Sequence, residues 1–366
     1  MYRSVRIAGI LAVCLGIGGT ACSAGFRRAV QAHTTLYAFL TDGSQYRAET
    51  YQLDRDTGDI STLLGFQNLE FFYNVYLHPA YSHLVIYGAT TSAETKRVQY
   101  LDLSTSADFT ARPAAAFDVS ASLFSPLAFH PTVEIVFLGY QSGMNRGFGA
   151  YDVGTNGSLT QRGTPVVFAD IPHALAFRET SNDIFSGSSV NLRSYHYYDD
   201  GTFSLVQEES FATHWLAMNA SQTYLYVGSL TAGMRVYAID SEARFSQVAF
   251  LGSTDYVASI RNAAVTPNGR FIYLGFGDQM KVLEFDGSSL TERQDLRIST
   301  GYGTTNSTVI DAEGRFLYSV RTYSTETPVL YTYRVDSSNG SLTLVSRREM
   351  AGLSRIAMGR WMTNVR

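Results

Sequence analysis

The sequence predicts an all-β fold built from a repeated four-stranded unit, and three observations support this. Apolar segments are only about four to seven residues long and lie between turn-forming clusters, which favours short strands over helices. The chain has 31 glycines, 24 tyrosines and 22 phenylalanines, residues suited to turns and strands. A turn followed by an aromatic strand also recurs, with its clearest copies in HPTVEIVFLG, NASQTYLYVG, TPNGRFIYLG and DAEGRFLYSV.

The repeat has the period of a β-propeller. One marker residue, two places into each first strand, recurs at intervals of 41 to 52 residues. The markers are Asn74, Pro126, Ala174, Trp215, Asn262, Ser307 and Ser354. Four short strands repeated at such intervals are typical of propeller blades. Seven hairpins between third and fourth strands, from YQLDRDTGDIS to YRVDSSNGSLT, predict seven antiparallel four-stranded blades.

The two ends of the chain are predicted to complete one blade together. TTLYAFLTDG, from residue 34, has the pattern of a second strand, and LSRIAMG, near residue 353, has that of a first strand. The C-terminal strand would therefore join the N-terminal strands and close the ring, which removes an open sheet edge. We expect one propeller over residues 34–366, with no internal domain boundary.

The first residues resemble an export signal. Arg3 and Arg6 precede the uncharged apolar run IAGILAVCLGIGG, which predicts a signal peptide over residues 1–21. Cys22 follows small residues, as a lipid-modified cysteine does, so residues 22–33 would link a lipid anchor to the propeller. This predicts a protein held at the cell envelope, in the periplasm or at the outer membrane. The alternative is ordinary export, with Cys22 incidental or removed.

Composition and motifs exclude several classes of function. Loss of residues 1–21 would leave 26 basic against 32 acidic groups, which argues against nucleic-acid binding. The sequence has no HExxH, CxxC, GxSxG or P-loop pattern, so we expect no metal and no cofactor. The partners expected are a small anionic ligand or an envelope protein or glycan, and the chain is expected to be a monomer.

Aligned blades would bring the residues at the heads of the first strands into one ring at the channel mouth. Three consecutive blades contribute His173, His214 and Arg261 to it. Histidine exchanges protons near neutral pH, and arginine binds carboxylate or phosphate with two parallel hydrogen bonds. Other ring positions, predicted to contact a ligand, are Tyr73, Ser125 and Asn306, and Leu353 completes the ring. Alternatively, these polar residues only cap loop backbone.

Each blade also has an aspartate at the end of its third strand. These are Asp54, Asp102, Asp152, Asp200, Asp240, Asp286 and Asp336. They are spread around the outer rim, one per blade, so they cannot converge on one metal ion. We expect them to accept hydrogen bonds from the turns that follow.

The hairpins LDRDTGDIS and VDSSNGSLT, with the turns PNGRFIYLG and AEGRFLYSV, resemble the seven-bladed lactonase family that includes 6-phosphogluconolactonase. The resemblance spans residues 34–366 and implies a site in the funnel at one end of the channel, where His173 of PHALAF looks like the family's histidine. No ring position carries Asp or Glu, so a general base would have to be His173 or His214. Export would also separate the protein from cytoplasmic sugar phosphates.

The residues leave two functions open. In the first, an envelope lipoprotein binds a small polar or anionic ligand, or a protein partner, at the channel mouth without chemistry. In the second, a metal-independent lactone or ester hydrolase uses His173 or His214 as general base and Arg261 as anion clamp. The second predicts that hydrolysis falls as the base becomes protonated below about pH 6.5.

Overall fold

The computed structural model has a purely β architecture over the residues it describes. These are 32–41, 45–69, 74–77, 83–89, 96–103, 109–111, 115–117, 126–142, 145–252, 262–276, 279–297, 303–323 and 326–362. They form 29 strands arranged in seven antiparallel sheets, which we number as blades 1 to 7. The predicted all-β, seven-bladed propeller is confirmed.

In blades 1 to 4 the strands follow one another from the inner strand outwards. Blade 1 contains β29 (Leu353–Met362), β1 (Ala32–Thr41), β2 (Tyr46–Leu53) and β3 (Ile60–Leu69). Blade 2 contains β4 (Asn74–Leu77), β5 (His83–Ala89), β6 (Lys96–Leu103) and two short strands that both pair with β6, β7 (Phe109–Ala111) and β8 (Ala115–Phe117), so its sheet has five strands instead of the predicted four. Blade 3 contains β9 (Leu127–Phe129), β10 (Ile135–Ser142), β11 (Asn145–Val153) and β12 (Leu159–Phe168). Blade 4 contains β13 (Pro172–Arg178), β14 (Asp183–Ser188), β15 (Leu192–Tyr197) and β16 (Phe203–Glu209).

Blades 5 to 7 repeat the same order. Blade 5 contains β17 (Trp215–Met218), β18 (Tyr224–Ser229), β19 (Gly233–Ile239) and β20 (Phe245–Leu251). Blade 6 contains β21 (Asn262–Val265), β22 (Phe271–Phe276), β23 (Gln279–Phe285) and β24 (Leu290–Arg297). Blade 7 contains β25 (Gly303–Ile310), β26 (Phe316–Tyr323), β27 (Val329–Val335) and β28 (Leu342–Glu349).

The first and last strands close the ring as the sequence predicts. β1 pairs antiparallel with β29, with Leu36 opposite Met358 and Ala38 opposite Ile356. The backbone N–H of Thr41 also donates to the carbonyl of Gly352 at 2.8 Å. The sheet of blade 1 is therefore assembled from both ends of the described chain.

The core lies between neighbouring sheets rather than in one central mass. In one cluster, Leu36 and Ala38 of blade 1 pack against Tyr318 and Val320 of blade 7, and all four are almost fully buried. Because each sheet has neighbours on both faces, inner strands such as LAF of β9 and WLAM of β17 are apolar on both sides. Each blade is thereby stabilised mainly by the blades beside it.

The aspartates after the third strands act in turns, and this interpretation is confirmed in five blades. One side-chain oxygen of each accepts a hydrogen bond from the backbone N–H two residues later, at 2.8 to 3.0 Å. The five are Asp54, Asp200, Asp240, Asp286 and Asp336. Hydrogen bonds from the turn hydroxyls and N–H groups lower the pKa of Asp200, Asp286 and Asp336 below the usual value.

Glycines in the hairpins connect one blade to the next. The Tyr273 hydroxyl of blade 6 donates to the carbonyl of Gly340 in blade 7 at 3.1 Å, and Tyr318 donates to Gly58 of blade 1 at 2.8 Å. Gly340 has φ +75°, and a Cβ there would lie 2.4 Å from the Phe271 ring. A side chain would therefore be both strained and in collision with the neighbouring blade.

Substitution of Gly340 tests this inter-blade contact. We expect Gly340→Ala to lower the free energy of unfolding by about 3 kcal/mol, because backbone strain adds to overpacking. Gly287→Ala is the matched control, since Gly287 has φ +100° but no atom within 4 Å of the place a Cβ would occupy. It should lose only about 1 kcal/mol from strain. Equal losses in denaturant titrations would show that the contact with Phe271 does not contribute.

Candidate functional site

One face of the propeller collects the starts of the first strands, and we call it the mouth face. In an antiparallel blade, the start of the first strand and the turn between the second and third strands lie at the same end. The segment arriving from the previous blade also lies there. The mouth face of blade 4 therefore contains the segment before β13 and the turn between β14 and β15.

His173 occupies a β-bulge at the head of β13. Pro172 lies opposite Ser188 and Ala174 lies opposite Gly187, so His173 is the extra residue between two paired positions. A bulge redirects the side chain of its extra residue. The imidazole of His173 is half-buried.

His214 immediately precedes β17 in the next blade, and the backbone fixes its position. Its N–H donates to the carbonyl of Gly228 at 2.8 Å, which extends the ladder of β17 by one residue. Its side-chain Nδ1 lies 3.3 Å from the backbone N–H of Leu230 and accepts a hydrogen bond from it. A neutral imidazole whose Nδ1 accepts in this way has its proton on Nε2.

The two imidazoles stack on one another. Their ring centroids are 4.8 Å apart and their planes differ by 22°. The histidines lie 41 positions apart in the sequence and meet because β13 and β17 are neighbouring inner strands. The stack therefore brings two proton-exchanging side chains from neighbouring blades together at the mouth face.

The structure describes only part of the predicted ring. Tyr73, Ser125 and Arg261 lie outside the described residues, as does Cys22. Asn306 lies in β25 at a bulge between Thr305 and Ser307, the same backbone situation as His173. Leu353 is 1% exposed, and the neighbouring bulge in β29 falls at Ser354, between paired Leu353 and Arg355. Ser354 is therefore the residue of blade 1 in the position equivalent to His173.

A buried polar network supports the histidine pair, and no motif in the sequence predicts it. The Ser188 hydroxyl donates to the carboxylate of Asp170, and the Ser188 carbonyl accepts the N–H of Thr213 at 2.6 Å. Asp170 lies three residues before His173, and Thr213 lies one residue before His214. Ser188 thus connects the segments that carry the two histidines.

Asp170 also forms a bidentate ion pair with Arg193 of β15. The guanidinium Nη1 and Nη2 atoms lie 3.2 and 3.1 Å from the two carboxylate oxygens, and Nε donates to Glu208. Burial alone would raise the pKa of Asp170, but the hydrogen bonds from Arg193 and Ser188 outweigh it and hold this pKa below its usual value. The carboxylate therefore stays ionised at neutral pH.

A short sequence pattern could have indicated Arg193 and two equivalent cations in the next blades. Near the start of the third strand, blades 4, 5 and 6 each have an apolar residue followed by a basic one, in NLRS, GMRV and QMKV. The basic residues are Arg193, Arg235 and Lys281, and all three pair with carboxylates on the fourth strands.

Within the described part of the chain, no cluster of three or more His, Cys, Asp or Glu side chains could hold a metal ion. The same residues include no helix with the length and hydropathy needed to cross a membrane.

The seven sheets, the closure by β29 and the polar mouth face define a closed seven-bladed β-propeller. Residues 84–355 match the family model for the lactonase, 7-bladed β-propeller, so the chain belongs to this family. No curated protein sequence matches the chain significantly.

Solved structures show the same fold. The periplasmic gluconolactonase of Pseudomonas aeruginosa superposes with a TM-score of 0.72 at 13% identity, covering 90% of this chain and 99% of that one. A Bacteroides fragilis protein, described as a candidate 6-phosphogluconolactonase, superposes with a TM-score of 0.70 at 12% identity, covering 89% and 98% of the two chains. A Lactobacillus plantarum protein gives 0.68 at 14% identity, covering 90% and 99%. At these identities the similarity concerns the fold alone.

Substitution of Asp170 tests the network behind the histidines. We expect Asp170→Asn to lower the free energy of unfolding at pH 7 by about 2 to 3 kcal/mol, because Arg193 would remain buried with one carboxylate fewer. The difference from the wild type should shrink as pH falls through the lowered pKa of Asp170, since protonation removes the same charge.

Glu242→Gln is the control, since Glu242 pairs with Arg244 on the surface with side chains 73% and 66% exposed. It should change stability by less than about 0.5 kcal/mol. Similar losses in the two variants, measured by denaturant titration, would contradict the buried role of Asp170.

Proposed function

We propose that the protein hydrolyses a lactone at the mouth face, with His173 and His214 as the catalytic residues. The observation that carries this proposal is the stacking of two half-buried imidazoles from neighbouring blades, with centroids 4.8 Å apart. Membership of the lactonase propeller family supports the reaction class. Imidazole is also the side chain that most readily moves a proton at neutral pH.

The hydrogen bond to His214 gives the two histidines different roles. Because Nδ1 of His214 accepts from Leu230, the neutral ring offers Nε2–H as a donor to a carbonyl oxygen. His173 is then the general base. A positioned donor of this kind stabilises the oxyanion that forms when an ester carbonyl is attacked.

The proposed reaction consumes one water and forms one hydroxy acid. His173 takes a proton from water as the oxygen bonds to the lactone carbonyl carbon, and Nε2–H of His214 stabilises the resulting oxyanion. The ring C–O bond then breaks as the oxyanion collapses to a carbonyl. Protonated His173 delivers its proton to the departing alkoxide. Arg261, Asn306, Tyr73 and Ser125 are the proposed ligand contacts around this pair.

The substrate class proposed is a sugar lactone. Two of the similar structures bear names that refer to gluconolactone or its 6-phosphate, which supports this class. Glucono-1,5-lactone is therefore the first probe.

Single histidine variants test the proposed roles. We expect His173→Ala to lower kcat/KM for glucono-1,5-lactone by about 100-fold or more, and to abolish the fall in rate below about pH 6.5. His214→Ala should lower it by about 100-fold while retaining the pH dependence, because it removes a donor and not the base. Rates are measured by pH-stat and corrected for spontaneous hydrolysis.

His196→Ala is the matched control, since His196 lies on β15, pairs with Asp183 at the other end of blade 4, and should not affect turnover. Unchanged turnover in the His173→Ala, His214→Ala double variant would overturn the proposal.

A second candidate function is recognition of a small anionic ligand, or of an envelope protein or glycan, without chemistry. It is favoured by an exposed apolar side chain at the mouth face, Val190, which is 53% exposed and lines the same groove as Arg146. Binding of a ligand at the mouth with no turnover of any lactone in a panel would favour this function.

We also propose that the chain is exported and held at the cell envelope through a lipid on Cys22. The basic start, the apolar run and the small residues before Cys22 support this. Cys22→Ser should move the protein from the membrane fraction to the soluble fraction, and mass spectrometry should find a diacylglyceryl group on the wild-type cysteine alone. An unmodified Cys22 in membrane-extracted protein would contradict the anchor.

A further inference from the structure

A groove of about 430 Å³ opens between blades 3 and 4 at the mouth face. One wall is the segment Ala169–Ile171, which leads directly to His173, and the other is the turn from Ser189 to Asn191. Arg146 and Arg193 lie at the start of the third strands of the two blades and line the groove as well.

The charge of Arg193 is neutralised within the protein. Its guanidinium contacts both oxygens of Asp170 at 3.1 and 3.2 Å and also donates to Glu208, and its side chain is only 7% exposed. It also lies over the Phe168 ring, 4.5 Å from the centroid. This side of the groove is therefore rigid and carries no uncompensated positive charge.

Arg146 differs from Arg193 in this respect. Its Nη1 donates to the carbonyl of Ala169 at 3.0 Å, which holds the side chain against the groove wall. Its Nε is buried and has no hydrogen-bond partner, and among the described residues no carboxylate lies within 4 Å of this guanidinium. Nη1 keeps a second hydrogen beside its bond to Ala169, so Nη1 and Nη2 together can bind a planar anion with two parallel hydrogen bonds.

The remaining surface of the groove suits a ligand that also has hydroxyl groups. The carboxylate of Asp170 retains acceptor capacity beside its bonds to Arg193 and Ser188, and the side-chain amide of Asn191 can donate and accept. Val190 and Ile171 provide apolar contacts for the C–H faces of a small polyhydroxy chain. This combination of few polar groups and an apolar wall is typical of small-ligand sites.

We propose that this groove binds a small sugar acid, with its carboxylate on Arg146 and its hydroxyls on Asp170 and Asn191. The binding itself is independent of catalysis. The effect of this binding on the enzyme rests on the proposed lactone hydrolysis, because the product of that reaction is a hydroxy acid of this kind. Released beside His173, the product enters the adjoining groove, and it inhibits turnover as it accumulates.

Calorimetric titration with gluconate, followed by gluconate inhibition of glucono-1,5-lactone hydrolysis, tests the groove. Gluconate should bind, neutral glucose should not, and glucose 6-phosphate should show whether phosphate replaces carboxylate as the anion. Arg146→Met should weaken gluconate binding by about tenfold or more, since a charge-assisted bidentate contact is lost. It should also relieve gluconate inhibition, with lactone turnover at low conversion unchanged.

Two further variants complete the test. Arg146→Lys keeps the charge but not the paired donors, so its affinity should lie between those of the wild type and Arg146→Met. Arg244→Met removes an exposed guanidinium from blade 5, with a side chain 66% exposed, and should leave binding unchanged. Thermal unfolding of each variant verifies that it is folded.

The two proposals fail in different ways. Gluconate binding that depends on Arg146 without any lactone turnover would support the groove and overturn the hydrolase. Lactone turnover with no gluconate binding at millimolar concentration, or with binding that Arg146→Met leaves unchanged, would overturn the groove alone.

Discussion

The antiparallel pairing of β1 with β29 is the constraint on which the rest of the structure depends. Each blade buries its faces only against its two neighbours, so an open ring would leave two sheet faces and two strand edges exposed to water. The pairing of residues 35–40 with residues 353–359 joins the two ends of the described chain in one sheet. It also places Leu36 and Ala38 against Tyr318 and Val320, which completes the contact between blades 1 and 7.

Closure explains why residues far apart in sequence converge, but the contact between the histidines needs a local feature as well. A Cβ at Gly187 would lie 2.2 Å from Cγ2 of Thr213. The absence of a side chain at Gly187 therefore lets the segment before β17 approach blade 4 closely enough for the Thr213 N–H to bond with Ser188. His214 follows Thr213 directly, so this close approach sets the position of its imidazole beside His173.

The repeated features of the fold are predictable from the sequence because each blade shows the same pattern. The seven hairpins, the turn aspartates and the juxtaposition of the two histidines all follow from aligning the repeats. The pairing of Arg193 with a fourth-strand carboxylate recurs at Arg235 and Lys281, so alignment could have indicated it. The bonds of Asp170 to Ser188 and Arg193 are not predictable in this way, because they depend on residues of one blade. Counting residues along the repeats places Leu353 in the ring, which is one position away from the residue that the strand pairing selects. The bulge between Leu353 and Arg355 makes Ser354 the residue equivalent to His173, while Leu353 is buried in the core.

The charge at the mouth face depends on which side chains form ion pairs there, and not on the net charge of −4 of the whole chain. Arg193, Arg235 and Lys281 lie near equivalent positions in three consecutive blades, and each contacts a carboxylate within 3.2 Å. None of these cations therefore carries an uncompensated positive charge, and Arg193 and Lys281 each contact two carboxylates. The negative charges elsewhere on the surface are screened by salt over about 10 Å. Arg146, which has no carboxylate within 4 Å among the described residues, is therefore a cation of the groove that remains available to an anion. A negatively charged protein can in this way offer an anion a favourable place beside its histidines.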